Sequence, residues 1–118
     1  MDKAPTSYRI AAFFMLVSAV LHMFAFTVGG LSTAALMLIP IGVIYLLIAA
    51  GLNRGKRWLA WITFFVAGIG GSIALGLSFG AGPVPSWWYL GITAADWIAA
   101  IALFGALWRS ATPSPELP

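Results

Sequence analysis

The chain alternates four times between a long apolar run and a short interruption. Ile10 to Val28 carries no Asp, Glu, Lys or Arg and is closed by Gly29, Gly30 and Ser32; the second run, Thr33 to Leu52, ends at Asn53, Arg54, Gly55, Lys56 and Arg57. Trp58 to Phe79 is the third, closed by Gly80, Gly82, Pro83, Pro85 and Ser86, and Trp87 to Trp108 is the fourth. Each run is about 19 to 22 residues, roughly 28 to 33 Å as an α-helix, which matches a hydrocarbon core of about 30 Å. The interruptions hold turn-forming residues and are short, as connections between antiparallel helices are. The pattern therefore predicts an all-α membrane protein with four transmembrane helices in an up-down-up-down bundle. The expected spans are 10–28, 33–52, 58–79 and 87–108 of a single domain over 1–118, with a polar segment at 1–9 and a Pro-containing tail at 110–118.

Composition excludes the main alternatives. Of 118 residues 62% are hydrophobic and 8% charged, and the mean hydropathy is +1.00. Six Lys and Arg with three Asp and Glu cannot clothe a soluble core of this length. Disorder fails on the opposite ground, because 14% of the chain is aromatic. With no Cys, disulfides, thiol catalysis and thiolate metal sites are excluded. A cleaved signal peptide is a weaker reading of the first run, which is longer than a usual h-region and lacks an A-x-A-like site around His22 to Thr27.

The cations fall at one set of span ends. Lys3 and Arg9 precede the first span, Arg54, Lys56 and Arg57 separate the second from the third, and Arg109 follows the fourth; the two other connections hold no charge. Lys and Arg near span ends are retained in the cytoplasm, so both termini are expected there, in the cell membrane of a bacterium. The same residues attract anionic headgroups at about 1 kcal/mol each, which makes the lipid bilayer the expected partner and nucleic acid an unsupported one. Trp58, Trp61, Trp87, Trp88, Tyr89 and Trp108 sit near the boundaries, where amphipathic rings collect.

Two ionisable residues fall inside the spans. An ionisable side chain in lipid is costly enough to be a functional hypothesis by itself. His22 lies thirteen residues after Arg9 and Asp96 thirteen before Arg109, so both sit roughly 20 Å from the basic boundary, and equal depth allows a pair. Ser18 precedes His22 by one turn, and Tyr89 and Thr93 lie on the helical face of Asp96. Tyr45, nine residues from Arg54, comes level with Ser18 and suggests a second polar layer nearer the basic side. Such residues commonly act as interhelical glue, worth about 0.6 kcal/mol on average. The functional reading of Asp96, His22, Tyr45, Ser18 and Thr93 is a proton-titrating or cation-binding site.

The third span carries Gly68, Ser72, Gly76 and Gly80 at a spacing of four, with Gly70 and Gly71 alongside, a small-residue ridge that lets another helix approach. Gly91, Ala95 and Ala99 offer a smaller counterpart in the fourth span, so these two spans are expected to pack together, ahead of oligomerisation through the ridge. Pro40 should kink the second span.

Several chemistries find no support. His22 is the only His, so bis-histidine haem ligation fails within one chain, and His–Met ligation through Met15, Met23 or Met37 has nothing further behind it. No phosphate-binding loop, dinucleotide fingerprint or paired metal-ligating His is present, so no cofactor, metal or catalytic residue is expected. Two functional readings follow. The first is a non-catalytic accessory or interaction subunit of a larger membrane complex, or a homo-oligomer, from the short loops and the glycine ridge. The alternative is a small proton- or cation-coupled transporter using Asp96 with His22. An intramembrane enzyme ranks last, having acid and base groups but no nucleophile or metal constellation.

Overall fold

The computed structural model describes residues 5–109; residues 1–4, with Lys3, the tail at 110–118 and the side chain of Arg109 lie outside the described residues. The order is α1 (Thr6–Met23), α2 (Phe26–Gly29), α3 (Thr33–Asn53), α4 (Arg57–Leu77) and α5 (Ser86–Arg109), with no strand among the described residues. Four helical segments are long and apolar enough to cross a membrane: Thr6–Gly29, Thr33–Asn53, Arg57–Leu77 and Ser86–Trp108. The apolar pattern locates all four, and the differences lie at the ends. The first helix starts at Thr6 because its opening turn is polar, behind Pro5, and an apolar count does not register it. It also breaks at Phe24 and Ala25, which the pattern does not show, before the single turn of α2.

Side-chain size sorts the residues between inside and outside. The buried positions are dominated by alanine, including Ala11, Ala12, Ala19, Ala60, Ala67 and Ala99, while Phe13, Leu47, Ile69 and Ile101 are among many large apolar side chains exposed on the outer surface. That is the reverse of a water-soluble bundle. In lipid, tails are as apolar as leucine, so helices associate through small residues that allow close backbone approach.

The helices pack unevenly around the bundle. α1 packs along both α3 and α5, α5 packs along α4, and α3 and α4 touch only lightly. The molecule is accordingly flattened, with extents of 53 × 25 × 16 Å. Gly42 makes the α1–α3 approach possible: a Cβ there would stand 2.8 Å from the Ala19 carbonyl oxygen and 2.5 Å from Met23 Cγ. Gly71 does the same for α4–α5, where a Cβ would meet the Trp97 indole at 2.5 Å. The connections are set by local chemistry. Gly30 and Gly55 take positive φ, 69° and 78°, which other residues rarely adopt, and the Ser32 hydroxyl caps α3 by accepting from the Ala35 amide at 3.2 Å. α3 runs through Pro40 without interruption, with that residue exposed on its outer face.

The ridge expected to join α4 to α5 points elsewhere. α4 buries Ala60, Thr63, Ala67, Gly71 and Ala74, whereas a Cβ on Gly68 or Gly76 would find nothing within 4 Å and Ser72 is exposed. Gly80 falls beyond the end of the helix. Two small-residue rows run side by side along this span, and spacing alone does not say which one meets its neighbour.

Candidate functional site

A polar layer crosses the bundle between two apolar clusters. On one side lie Met15, Leu52, Leu103 and Leu107, and on the other Ala35, Val84, Tyr89 and Ile92. The layer is built from α1, α3 and α5. Ser18 and His22 are one helical turn apart on the buried face of α1, Tyr45 comes from α3, and Asp96 from α5. Asp96 and Ser18 have no exposed surface, and Tyr45 and His22 retain 4% and 5%.

The hydrogen bonds fix the roles of the ring atoms. His22 Nδ1 lies 2.7 Å from the Ser18 carbonyl oxygen, which can only accept, so Nδ1 carries the proton and Nε2 is the lone-pair nitrogen of the neutral ring. The Ser18 hydroxyl is 3.3 Å from the same Nδ1. Nε2 makes no hydrogen bond among the described residues. Tyr45 donates its hydroxyl to Asp96 Oδ2 at 3.2 Å, which leaves the phenol oxygen free to accept. The imidazole and phenol rings stand side by side, centroids 4.8 Å apart and planes tilted by 49°. Asp96 Oδ1 has no hydrogen-bond partner among the described residues; the Ser18 hydroxyl is brought near the carboxyl without completing a bond to that oxygen.

Gly70 makes room for this contact. A Cβ there would stand 2.5 Å from the Tyr45 hydroxyl and 3.3 Å from Asp96 Oδ2. α4 thus enters the site through an absent side chain. Beside it, the light contact between α3 and α4 leaves a cavity of about 180 Å³, walled by His22, Tyr45 and Tyr89 on the inner side and by Leu38, Ile41 and Ile73 among the apolar residues.

The expected site residues separate into two groups. His22, Ser18, Tyr45 and Asp96 come together in one layer rather than two, because a tyrosine hydroxyl reaches about a helical turn, roughly 5.4 Å, beyond its own depth. His22 and Asp96 share this layer but no hydrogen bond joins them among the described residues; Tyr45 contacts both. Thr93 stands apart as helix glue, its hydroxyl within reach of the Gly71 carbonyl across the α4–α5 interface at 3.1 Å and of its own Tyr89 carbonyl at 3.0 Å. Arg9, Arg54, Lys56 and Arg57 are exposed, away from the layer.

Two elements of the site are not evident in the residue pattern. Gly70 reads as a companion of the glycine ridge, and only the position of Tyr45 reveals its use. Trp88 donates its indole N–H to the Leu21 carbonyl at 2.8 Å, satisfying a carbonyl in the last turn of α1 and tying α5 to it one residue before His22. Its place near a span boundary suggests a headgroup contact instead.

Comparison with protein-family models, with curated proteins and with solved structures finds no match to this chain. Function is therefore argued from the polar layer and the cavity beside it. No group of three or more His, Asp or Glu that could hold a metal occurs among the described residues.

Proposed function

We propose that this chain is a small multi-pass membrane carrier in which Asp96 binds the coupling proton or a cation, with Tyr45 and His22 as its partners. The observation that carries this reading is the Asp96 carboxyl, wholly buried yet, among the described residues, bonded through one oxygen only. Helix glue retained for stability alone satisfies its polar atoms, since a buried unpaired group costs about 1–3 kcal/mol. A carboxyl that must exchange a proton or cation keeps one oxygen open. On this reading the helices cross the membrane up-down-up-down with both termini in the cytoplasm of a bacterium, an orientation supported by the six Lys and Arg at one set of span ends.

Proton flux coupled to cations, read by a pH dye inside proteoliposomes under an imposed pH gradient, tests it, because one carboxyl exchanging a proton for a monovalent cation moves no net charge. The probes are Na⁺, K⁺, guanidinium and small primary amines. At least one should give a flux above that of protein-free liposomes, and Asp96→Asn should abolish it. Flux that persists in Asp96→Asn, or no flux with any probe, would overturn the carrier.

The outer ridge favours a second reading, an accessory subunit of a larger membrane complex. Gly68 and Gly76 are open and Ser72 is exposed, its hydroxyl donating to the Gly68 carbonyl of the same helix at 2.8 Å. A partner helix could lie along that row. Extraction in mild detergent should then yield a larger assembly of fixed stoichiometry that Gly68→Leu with Gly76→Leu disrupts. Recovery of the chain alone counts against it.

A further inference from the structure

We propose that the cleft between α3 and α4 binds a small lipophilic amine of single-ring size, with its ammonium at His22 and Tyr45 and its apolar body toward Ile73. The proposal rests on the carrier reading and names its substrate class. Three features of the cleft point to this chemistry.

The first is the hydrogen-bonding character of the inner wall. His22 and Tyr45 both line the cavity, and His22 Nε2 and the phenol oxygen are the acceptors these two side chains have left once their protons are committed to the Ser18 carbonyl and Asp96 Oδ2. A wall whose polar residues have only acceptors left suits a ligand that donates. The second is charge. Among the described residues no Lys or Arg lines the cavity, while Asp96 accepts from the Tyr45 hydroxyl that borders it. A donor bearing positive charge is favoured over a neutral one by that carboxylate. The rings of Tyr45 and Tyr89 further suit an ammonium, because a cation within about 6 Å of a tyrosine face is attracted by its quadrupole.

The third is size and access. A cavity of about 180 Å³ falls below the 300–1,000 Å³ typical of drug-sized sites and close to a cavity of about 150 Å³ that holds benzene. The rest of its wall is aliphatic, and Ile73 at its rim is 59% exposed on the outer surface. Because α3 and α4 barely touch, a lipid-dissolved amine would enter sideways between them, without crossing a packed interface.

Binding of 2-phenylethylamine to the protein in nanodiscs, measured calorimetrically, is the test. The amine should bind at least about tenfold more tightly than its neutral analogues 2-phenylethanol and propylbenzene, the margin expected of a charge-assisted contact. Asp96→Asn should remove that preference. Ile73→Trp, which fills the mouth from the lipid side and leaves the buried layer intact, should abolish binding of all three, guarding against a misfolded Asp96 variant. Equal affinity for the amine and its neutral analogues, no binding at all, or full binding by Ile73→Trp would overturn the site. The two readings fail separately: amine binding without any coupled proton flux removes the carrier and keeps the site, whereas Asp96-dependent flux without amine binding does the reverse.

Discussion

At the scale of single residues, the contact between Tyr45 and Asp96 depends on a residue that makes no bond. Tyr45→Phe should cost about 0.6 kcal/mol and no more than about 2, as intramembrane hydrogen bonds do. Gly70→Ala acts on the same bond from the opposite helix, since its Cβ would occupy the space held by the Tyr45 hydroxyl at 2.5 Å. The phenol is the far end of a flexible side chain and can swing away, so the expected result is a displaced hydroxyl, not a disrupted bundle. A double-mutant cycle of reversible unfolding in bicelles tests this. In the Gly70→Ala background Tyr45→Phe should cost close to nothing, because the bond it removes is already broken. An undiminished cost would mean that Tyr45 stabilises the protein through some other contact. Asp96 and His22 were legible as chemistry in the sequence, being ionisable groups in apolar runs. The order of contact was not, because helical depth places Cα atoms and the reach of a tyrosine decides which polar atoms meet.

At the scale of helices, the sequence fixes where each one runs far better than which face it turns inward. The four apolar runs find the membrane-length segments because hydropathy integrates over twenty or so residues and tolerates errors at the ends. Facing is harder, since a helix in lipid is apolar all round and amphipathicity gives little help. Size is the remaining signal, and α4 offers it twice, as Ala67, Gly71 and Ala74 toward α5 and as Gly68, Ser72 and Gly76 toward the outside. The glycines therefore predict opposite responses. Gly42→Ala should destabilise by about 1–3 kcal/mol, because its Cβ would press on the Ala19 carbonyl and force α1 from α3. Gly68→Ala and Gly76→Ala should be neutral or stabilising by about 0.5–1 kcal/mol, the gain of replacing glycine within a helix. The same unfolding measurement separates them, and a comparable loss at Gly68 would place a partner helix on the outer row in the preparation used.

At the scale of the whole molecule, the apolar outer surface and the placement of charge bear on each other. Large apolar side chains cover the outside of the bundle, a surface suited to a bilayer as its solvent. Orientation within the bilayer must then come from the loops. Arg54, Lys56 and Arg57 border the connection between α3 and α4, while the connection between α4 and α5 carries no charge over residues 78–85. A bundle held in one orientation by this bias would place the α3–α4 connection and the α4–α5 turn on opposite sides. The chain has no cysteine, so single reporters give a clean background. With a membrane-impermeant maleimide on intact bacterial cells, Gly82→Cys should label directly and Lys56→Cys only after permeabilisation. Direct labelling at both positions would mean that copies insert both ways round, and the lysine and arginine bias would then not set the topology. On the carrier reading, a single orientation has a mechanical consequence: the cleft beside Asp96 would open to the lipid at one fixed depth in every copy, while the direction of net transport would follow the pH gradient.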